Sequence, residues 1–334
     1  MINIALVGCG GHANGFHVGI LKKSTEAKVV ALVDPIAERT AKFKEHFPEA
    51  AEYRDIADLL KNPPPKLDAV ILVTPHATHY GQIKSALQAG LHVLCEKPMV
   101  TNSEHAYDLW KTVKQTGKLL AISFQAPYTA EYQYLKKLRD AGEWGQVQIV
   151  QGWLAQFWKT NTVGSWRQDP AISGGGQMYD SGSHVLNGMM WLMNEPVVEV
   201  ACFADNHGTP VDINGVAMLK FQSGALGTVG IGGNSPGWNV DIRIQTEKLQ
   251  FRTGPHGGYL EMTGTPKFKY PAVPTSDKPG AFSPHENFFA AIRGETELAA
   301  PVRYGVLLSA LMDALYESVR TKGIVNVKPV PQDI

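Results

Sequence analysis

Asn3-Ile4-Ala5-Leu6-Val7-Gly8-Cys9-Gly10-Gly11-His12-Ala13 is the stretch on which the fold turns. An apolar run of strand length enters a glycine-rich turn, after which Phe16, Ile20 and Leu21 recur at helical spacing. Strand, glycine turn, helix is the context that binds a dinucleotide pyrophosphate. Gly8 permits the tight turn, Gly10 lets backbone approach phosphate, Gly11 and His12 complete the turn, and Ala13 is small enough for the helix to pack on the strand. Free N–H groups at the helix N-terminus then face the phosphates. A second strand over 28–33 ends in Asp34, placed to hydrogen-bond the ribose hydroxyls. Its charge repels a 2′-phosphate, so NAD is expected over NADP, although Arg39 nearby could pair with such a phosphate.

Outward from this turn, strand and helix patterns alternate as in a doubly wound parallel sheet. Residues 68–73 are continuously apolar, which suits a strand covered on both faces. Ligands bind at the carboxyl ends of such strands, so Thr74, Pro75 and His79 are expected to line the cofactor cleft. His76 and His79 form half of a metal pattern at most; no second Cys/His cluster supports it, and no metal is expected. The strand over 91–95 runs into Glu96-Lys97-Pro98, where Lys97 and Glu96 face the same cleft and Pro98 restricts the conformation of Lys97. For this tripeptide alone, a solvated Lys-Glu pair on a loop is an equal reading. A helix over 103–116 and a strand over 118–124 complete a first domain, 1–124, with Gln125 at another strand end.

The pattern changes after residue 146 to successive runs at strand spacing, which argue for a mostly antiparallel sheet in a second, α+β domain over 125–334. A helix over 303–321 is expected to pack back toward the first domain. One sheet face needs a second subunit, giving a homodimer or homotetramer. A helix over 176–193 interrupts the strands, led by Ser173-Gly174-Gly175-Gly176. The glycines are read as letting backbone approach a ligand. Asp180 and His184, four apart on that helix, point from one face as an acid/base pair. A surface or buried structural pair is the competing reading of Asp-x-x-x-His alone.

With 31 basic and 31 acidic residues among 334, the chain has no general attraction for nucleic acid or an anionic membrane. Hydrophobic content of 44% describes an ordinary globular protein. Cys9, Cys95 and Cys202 form no disulfide framework, no apolar run approaches membrane-spanning length, and the start lacks a cleavable leader pattern, so a cytoplasmic location is expected.

The glycine turn at 8–12, Glu96-Lys97-Pro98, and Gly174-Gly175-Gly176 followed by Asp180 and His184 stand in one order. Together they resemble the Gfo/Idh/MocA oxidoreductases, a family named for glucose-fructose oxidoreductase, inositol dehydrogenase and a rhizopine-catabolism protein. The resemblance implies a Rossmann domain, a C-terminal domain with a large open sheet, and NAD(P)-dependent oxidation or reduction of sugars, polyols or their derivatives. It carries catalytic roles to Lys97, Asp180 and His184, and places Trp166 and Arg167 near substrate. Gln125-Ala126-Pro127 replaces the family's more usual Asn-Arg-Arg, and Asn187 stands where Asp often follows the histidine. Two rival readings accompany this one: a glycoside hydrolase that uses bound NAD for transient oxidation at C3, and a non-catalytic dinucleotide- or sugar-binding protein.

Overall fold

The computed structural model describes residues 1–264 and 282–331. They form two compact units, and neither is one continuous stretch of chain. The first comprises 1–100, 104–123 and 284–302; the second comprises, of the described residues, 101–103, 124–264, 282–283 and 303–331. A single cut at 124 therefore misses a returning segment.

Six parallel strands make the first unit's sheet: β1 (Ile2–Val7), β2 (Ala27–Val33), β3 (Ala51–Tyr53), β4 (Ala69–Leu72), β5 (His92–Cys95) and β6 (Leu120–Ile122), in the order β3-β2-β1-β4-β5-β6. Order reverses between β2 and β4 on either side of β1, so the glycine turn after β1 lies at the switch point where such sheets bind ligands. All four residues of β4 are buried, as the unbroken apolar run requires. The returning segment supplies Phe288 and Phe289 to the core around Leu6, Ile71 and Ala121. Pro301 makes a bridge to Ala121 beside β6.

The second unit has eight strands: β7 (Val147–Ala155), β8 (Val197–Asp205), β9 (Asn214–Phe221), β10 (Leu226–Gly232), β11 (Asn239–Thr246), β12 (Gln250–Thr253), β13 (Leu260–Thr263) and β14 (Val325–Asn326). Their order is β13-β12-β11-β7-β10-β9-β8-β14, antiparallel except where β7 meets β10. The helix Gly182–Met193 covers one face. It approaches closely because Gly152 of β7 leaves room for Val185 and Met189; a Cβ there would lie 2.6 Å from both side chains. The helix Val302–Thr321 is held within this unit, through Tyr316 to Asp212 and Ser318 Oγ to the N–H of Cys202.

The opposite sheet face carries large apolar side chains in the open. Phe203 pairs with Val216, Val216 with Gly230 and Gly230 with Trp153, so one row crosses four strands. Phe203 is 79% exposed and Met218, beside Val216 on the same face, 63%.

Candidate active site

In the first unit the candidate cofactor residues begin at Gly8, whose φ of 95° suits glycine alone. A Cβ there would overlap the Val73 carbonyl oxygen. Gly10 and Gly11 have open space where a Cβ would stand, which leaves backbone accessible to a phosphate. Ala13 is fully buried. Asp34 is fixed at the end of β2: its Oδ2 accepts from the N–H of Cys9 at 2.9 Å and its Oδ1 from that of Ile36 at 3.0 Å. Arg39, half exposed, comes within 3.7 Å of the same carboxylate. These residues fit a dinucleotide: open backbone donors at a switch point, and a carboxylate anchored beside them.

Four residues expected at the cofactor make other contacts. His79 is fully buried, with Nδ1 2.9 Å from the Pro98 carbonyl and Nε2 2.9 Å from the Thr74 carbonyl. It ties the loop after β4 to the loop after β5 instead of lining a cleft. Burial lowers its pKa and outweighs the two carbonyls, so the neutral ring donates to one of them at a time. Thr74 gives its hydroxyl to Gln82 Oε1 at 2.6 Å, and Pro75 begins the helix His76–Gln88. Glu96 is buried, and its Oε1 lies 3.0 Å from His17 Nε2 and 3.3 Å from His12 Nε2. Burial pushes the Glu96 pKa up, but hydrogen bonds from His12 and His17 hold it well below the usual carboxylate range. Behind them, His17 Nδ1 meets His285 Nε2 at 2.9 Å; burial, with His17 beside it, lowers His285 to about 3 and keeps it neutral. Lys97, partly exposed, follows Glu96 directly.

The candidate residues of the second unit differ from their sequence pattern in two ways. Asp180 is not on a helix: residues 174–181 are turns, and the helix starts at Gly182. The shared helical face expected for Asp180 and His184 is therefore replaced by a turn residue and a first-turn residue. The glycines also face protein, not ligand. A Cβ on Gly174 would lie 2.5 Å from Thr101, one on Gly175 would overlap the Tyr316 hydroxyl, and one on Gly176 would overlap the Asp212 carbonyl oxygen. Asp212 clamps the turn: Oδ1 accepts from the Gly176 N–H at 2.7 Å, Oδ2 from that of Met178 at 2.8 Å, and its carbonyl from that of Gln177 at 2.9 Å. Sequence reading missed this residue, since an isolated aspartate carries no local signal.

The clamped turn presents a charged, buried carboxylate. Asp180 Oδ2 accepts from Trp158 Nε1 at 2.8 Å and from Arg167 Nε at 3.1 Å. The Arg167 guanidinium lies 4.4 Å over the Trp166 ring, so the Trp-Arg pair and Asp180 converge. Among the described residues of the helix Gly182–Met193, all but His184 are buried. The His184 ring packs edge-on to His256, with centroids 5.1 Å apart, and His256 leans on Trp238. His256 Nδ1 is hydrogen-bonded to Gln125 Oε1, which fixes Nδ1 as the protonated nitrogen. Gln125 thus belongs to the second unit, as a tether for His256.

Residues 2–124 match the family described as an oxidoreductase family with an NAD-binding Rossmann fold, and residues 132–252 match the GFO/IDH/MocA C-terminal domain. The chain is 26% identical over 200 residues to D-glucoside 3-dehydrogenase of Escherichia coli, covering 59% of this chain and 56% of that protein. It is 28% identical over 201 residues to inositol 2-dehydrogenase of Corynebacterium glutamicum, covering 60% and 56%. The chain thus spans little more than half the length of these curated relatives. Among solved structures, the WlbA dehydrogenase of Bordetella pertussis in complex with NADH and UDP-GlcNAcA is 25% identical, with a TM-score of 0.84 and 99% of each chain covered. Levoglucosan dehydrogenase in complex with NADH shares the fold, with a TM-score of 0.86 at 20% identity over 98% of this chain and all of that one.

Proposed function

The chain belongs to the Gfo/Idh/MocA oxidoreductase family, and from that premise we propose that it is an NAD-dependent dehydrogenase acting on a secondary alcohol of a sugar, a polyol or a sugar derivative. The observation that supports this most is His184: an imidazole kept partly open on an otherwise buried helix, which begins two residues after Asp180, the carboxylate that holds Arg167 and Trp158. Gly8, Gly10, Gly11, His12, Ala13 and Asp34 are the residues that would hold the dinucleotide, which when bound exchanges hydride with the carbinol carbon. His184 takes the hydroxyl proton, and Asp180 fixes the local charge and orients the ring. Lys97, as ammonium, stabilises negative charge growing on the substrate oxygen. Arg167, held by Asp180 and stacked on Trp166, offers its remaining N–H groups to substrate hydroxyls.

A panel of aldoses, cyclitols and glycosides assayed for NADH formation tests the reading. At least one class should reduce NAD in a time-dependent way. Free sugar released from an aryl glycoside without net NADH would replace this reading with the hydrolytic one, and binding of NADH with no turnover on any class would replace it with a binding protein.

We also propose a homodimer through the open face of the eight-stranded sheet, in a cytoplasmic protein. The row of Phe203, Val216 and Trp153 supports the first part, since an apolar strip of this kind marks an association surface. Three free, buried cysteines suit the second. Among the described residues no helix is long and apolar enough to cross a membrane. Sedimentation should give twice the chain mass for the unaltered protein and the single chain mass for Phe203→Glu with Met218→Glu. An unaltered protein that sediments as a monomer at micromolar concentration would dispose of the dimer.

A further inference from the structure

The segment after the glycine turn is not a regular α-helix. Ala13–His17 forms a π-turn between helical residues 11–12 and the helix Val18–Lys23. On a straight α-helix, residues five apart point about 140° away from each other. A π-turn, closed by i→i+5 bonds, cuts that to roughly 50°. The wider turn therefore swings His12 and His17 to one side, where both reach the same oxygen of Glu96. π-turns inside helices occur often at functional sites.

His12, His17 and Glu96 each offer one donor atom, and all three atoms lie within 4.8 Å of one another. In a tetrahedral zinc site with bonds near 2.0–2.1 Å, neighbouring ligand atoms stand about 3.3 Å apart. The two imidazole nitrogens stand 3.0 and 3.3 Å from the carboxylate oxygen. His17 is oriented from behind by His285, the arrangement in which a ligating histidine engages a second polar group through its other nitrogen. His17, Glu96 and His285 are buried, while His12 is about half exposed and leaves an entry path.

We propose that His12, His17 and Glu96 form a binding site for a nitrogen-preferring divalent ion, Zn²⁺ in the first instance, whose occupancy opposes dinucleotide binding. Two neutral imidazoles and one carboxylate leave the ion a net positive charge and an open position, which water fills. Loading releases any Nε2 protons of the two ligating rings to solvent. The antagonism rests on the dinucleotide reading of the glycine turn, because His12 stands between Gly11 and Ala13.

Metal-free full-length protein is titrated with Co²⁺, whose visible absorption reports nitrogen and oxygen ligation. One equivalent should saturate an intense tetrahedral band, and His12→Ala, a half-exposed position whose folding is checked by its melting temperature, should weaken binding tenfold or more. No saturable band, or equal binding by His12→Ala, would overturn the site. Saturating Zn²⁺ should raise the Kd for NADH at least tenfold in the unaltered protein; the Kd of His12→Ala, shifted or not by the substitution itself, should be the same with and without Zn²⁺. An equal NADH affinity with and without Zn²⁺ would overturn the antagonism. If the metal-free protein fails to bind NADH at all, the dehydrogenase reading fails, and the Co²⁺ band still decides the ion site.

Discussion

Turnover of the Lys97→Ala and His184→Ala chains should fall by about 10³-fold each, with NADH affinity nearly unchanged. The two losses have different origins. Without His184 the substrate hydroxyl has no positioned acceptor for its proton, which costs about 10² to 10⁴ in rate. Without Lys97 the oxygen develops charge with no ammonium beside it, a loss of the size seen when a fixed charge-stabilising donor is removed. Both side chains are partly exposed, and melting temperatures should stay near that of the unaltered chain. The effect should appear in kcat more than in KM, since these interactions strengthen in the transition state. Near-normal kcat in both variants would remove these residues from the chemistry.

Gly176→Ala should be the most damaging single-methyl change to the second unit. A Cβ there would overlap the Asp212 carbonyl oxygen and lie 2.8 Å from the Asp212 nitrogen and carbonyl carbon, all backbone atoms that cannot rotate aside. Relief requires moving Asp212, which breaks its bonds to Gly176, Gln177 and Met178 and disturbs the hydroxyl of Tyr316. Losses above about 4 kcal/mol belong to this kind of event, and in a unit of this size they correspond to a fall of roughly 8–16 °C in Tm. Gly10→Ala is the control: with open space at its Cβ it should keep the melting temperature and lose dinucleotide affinity. A Gly176→Ala chain melting within about 2 °C of the unaltered one would show that the turn is not clamped in this way.

The first sheet was legible because its cause is local. Apolar runs of strand length end in glycine, aspartate or proline, and the parallel arrangement of β1, β2, β4, β5 and β6 follows from alternation with helices, while their order in the sheet does not. β3, three residues with little burial, left no pattern to find. In the second sheet, the antiparallel pattern was legible in six runs of alternating polarity, while β13 and the two-residue β14 were not. Site residues divided the same way. Asp34 announces itself as a carboxylate at a strand end, but His285 meets His17 across most of the chain, and nothing near it in sequence implies the contact. The triple glycine shows the limit most clearly. Three residues without side chains say that something comes close, and only coordinates say that it is Thr101, Tyr316 and Asp212. Asp180 was misplaced on a helix because its four-residue interval to His184 survives in a turn whose first N–H groups bond to Asp212 instead.

The return of 284–302 to the first unit makes that unit's completion wait on chain synthesised long after its last strand. Its six strands leave the ribosome early, yet Phe288, Phe289 and Pro301 are made well over a hundred residues later. A polypeptide that stops short of residue 284 thus lacks the side chains that pack beside Leu6 and Ala121, and leaves that apolar surface open to proteases and chaperones.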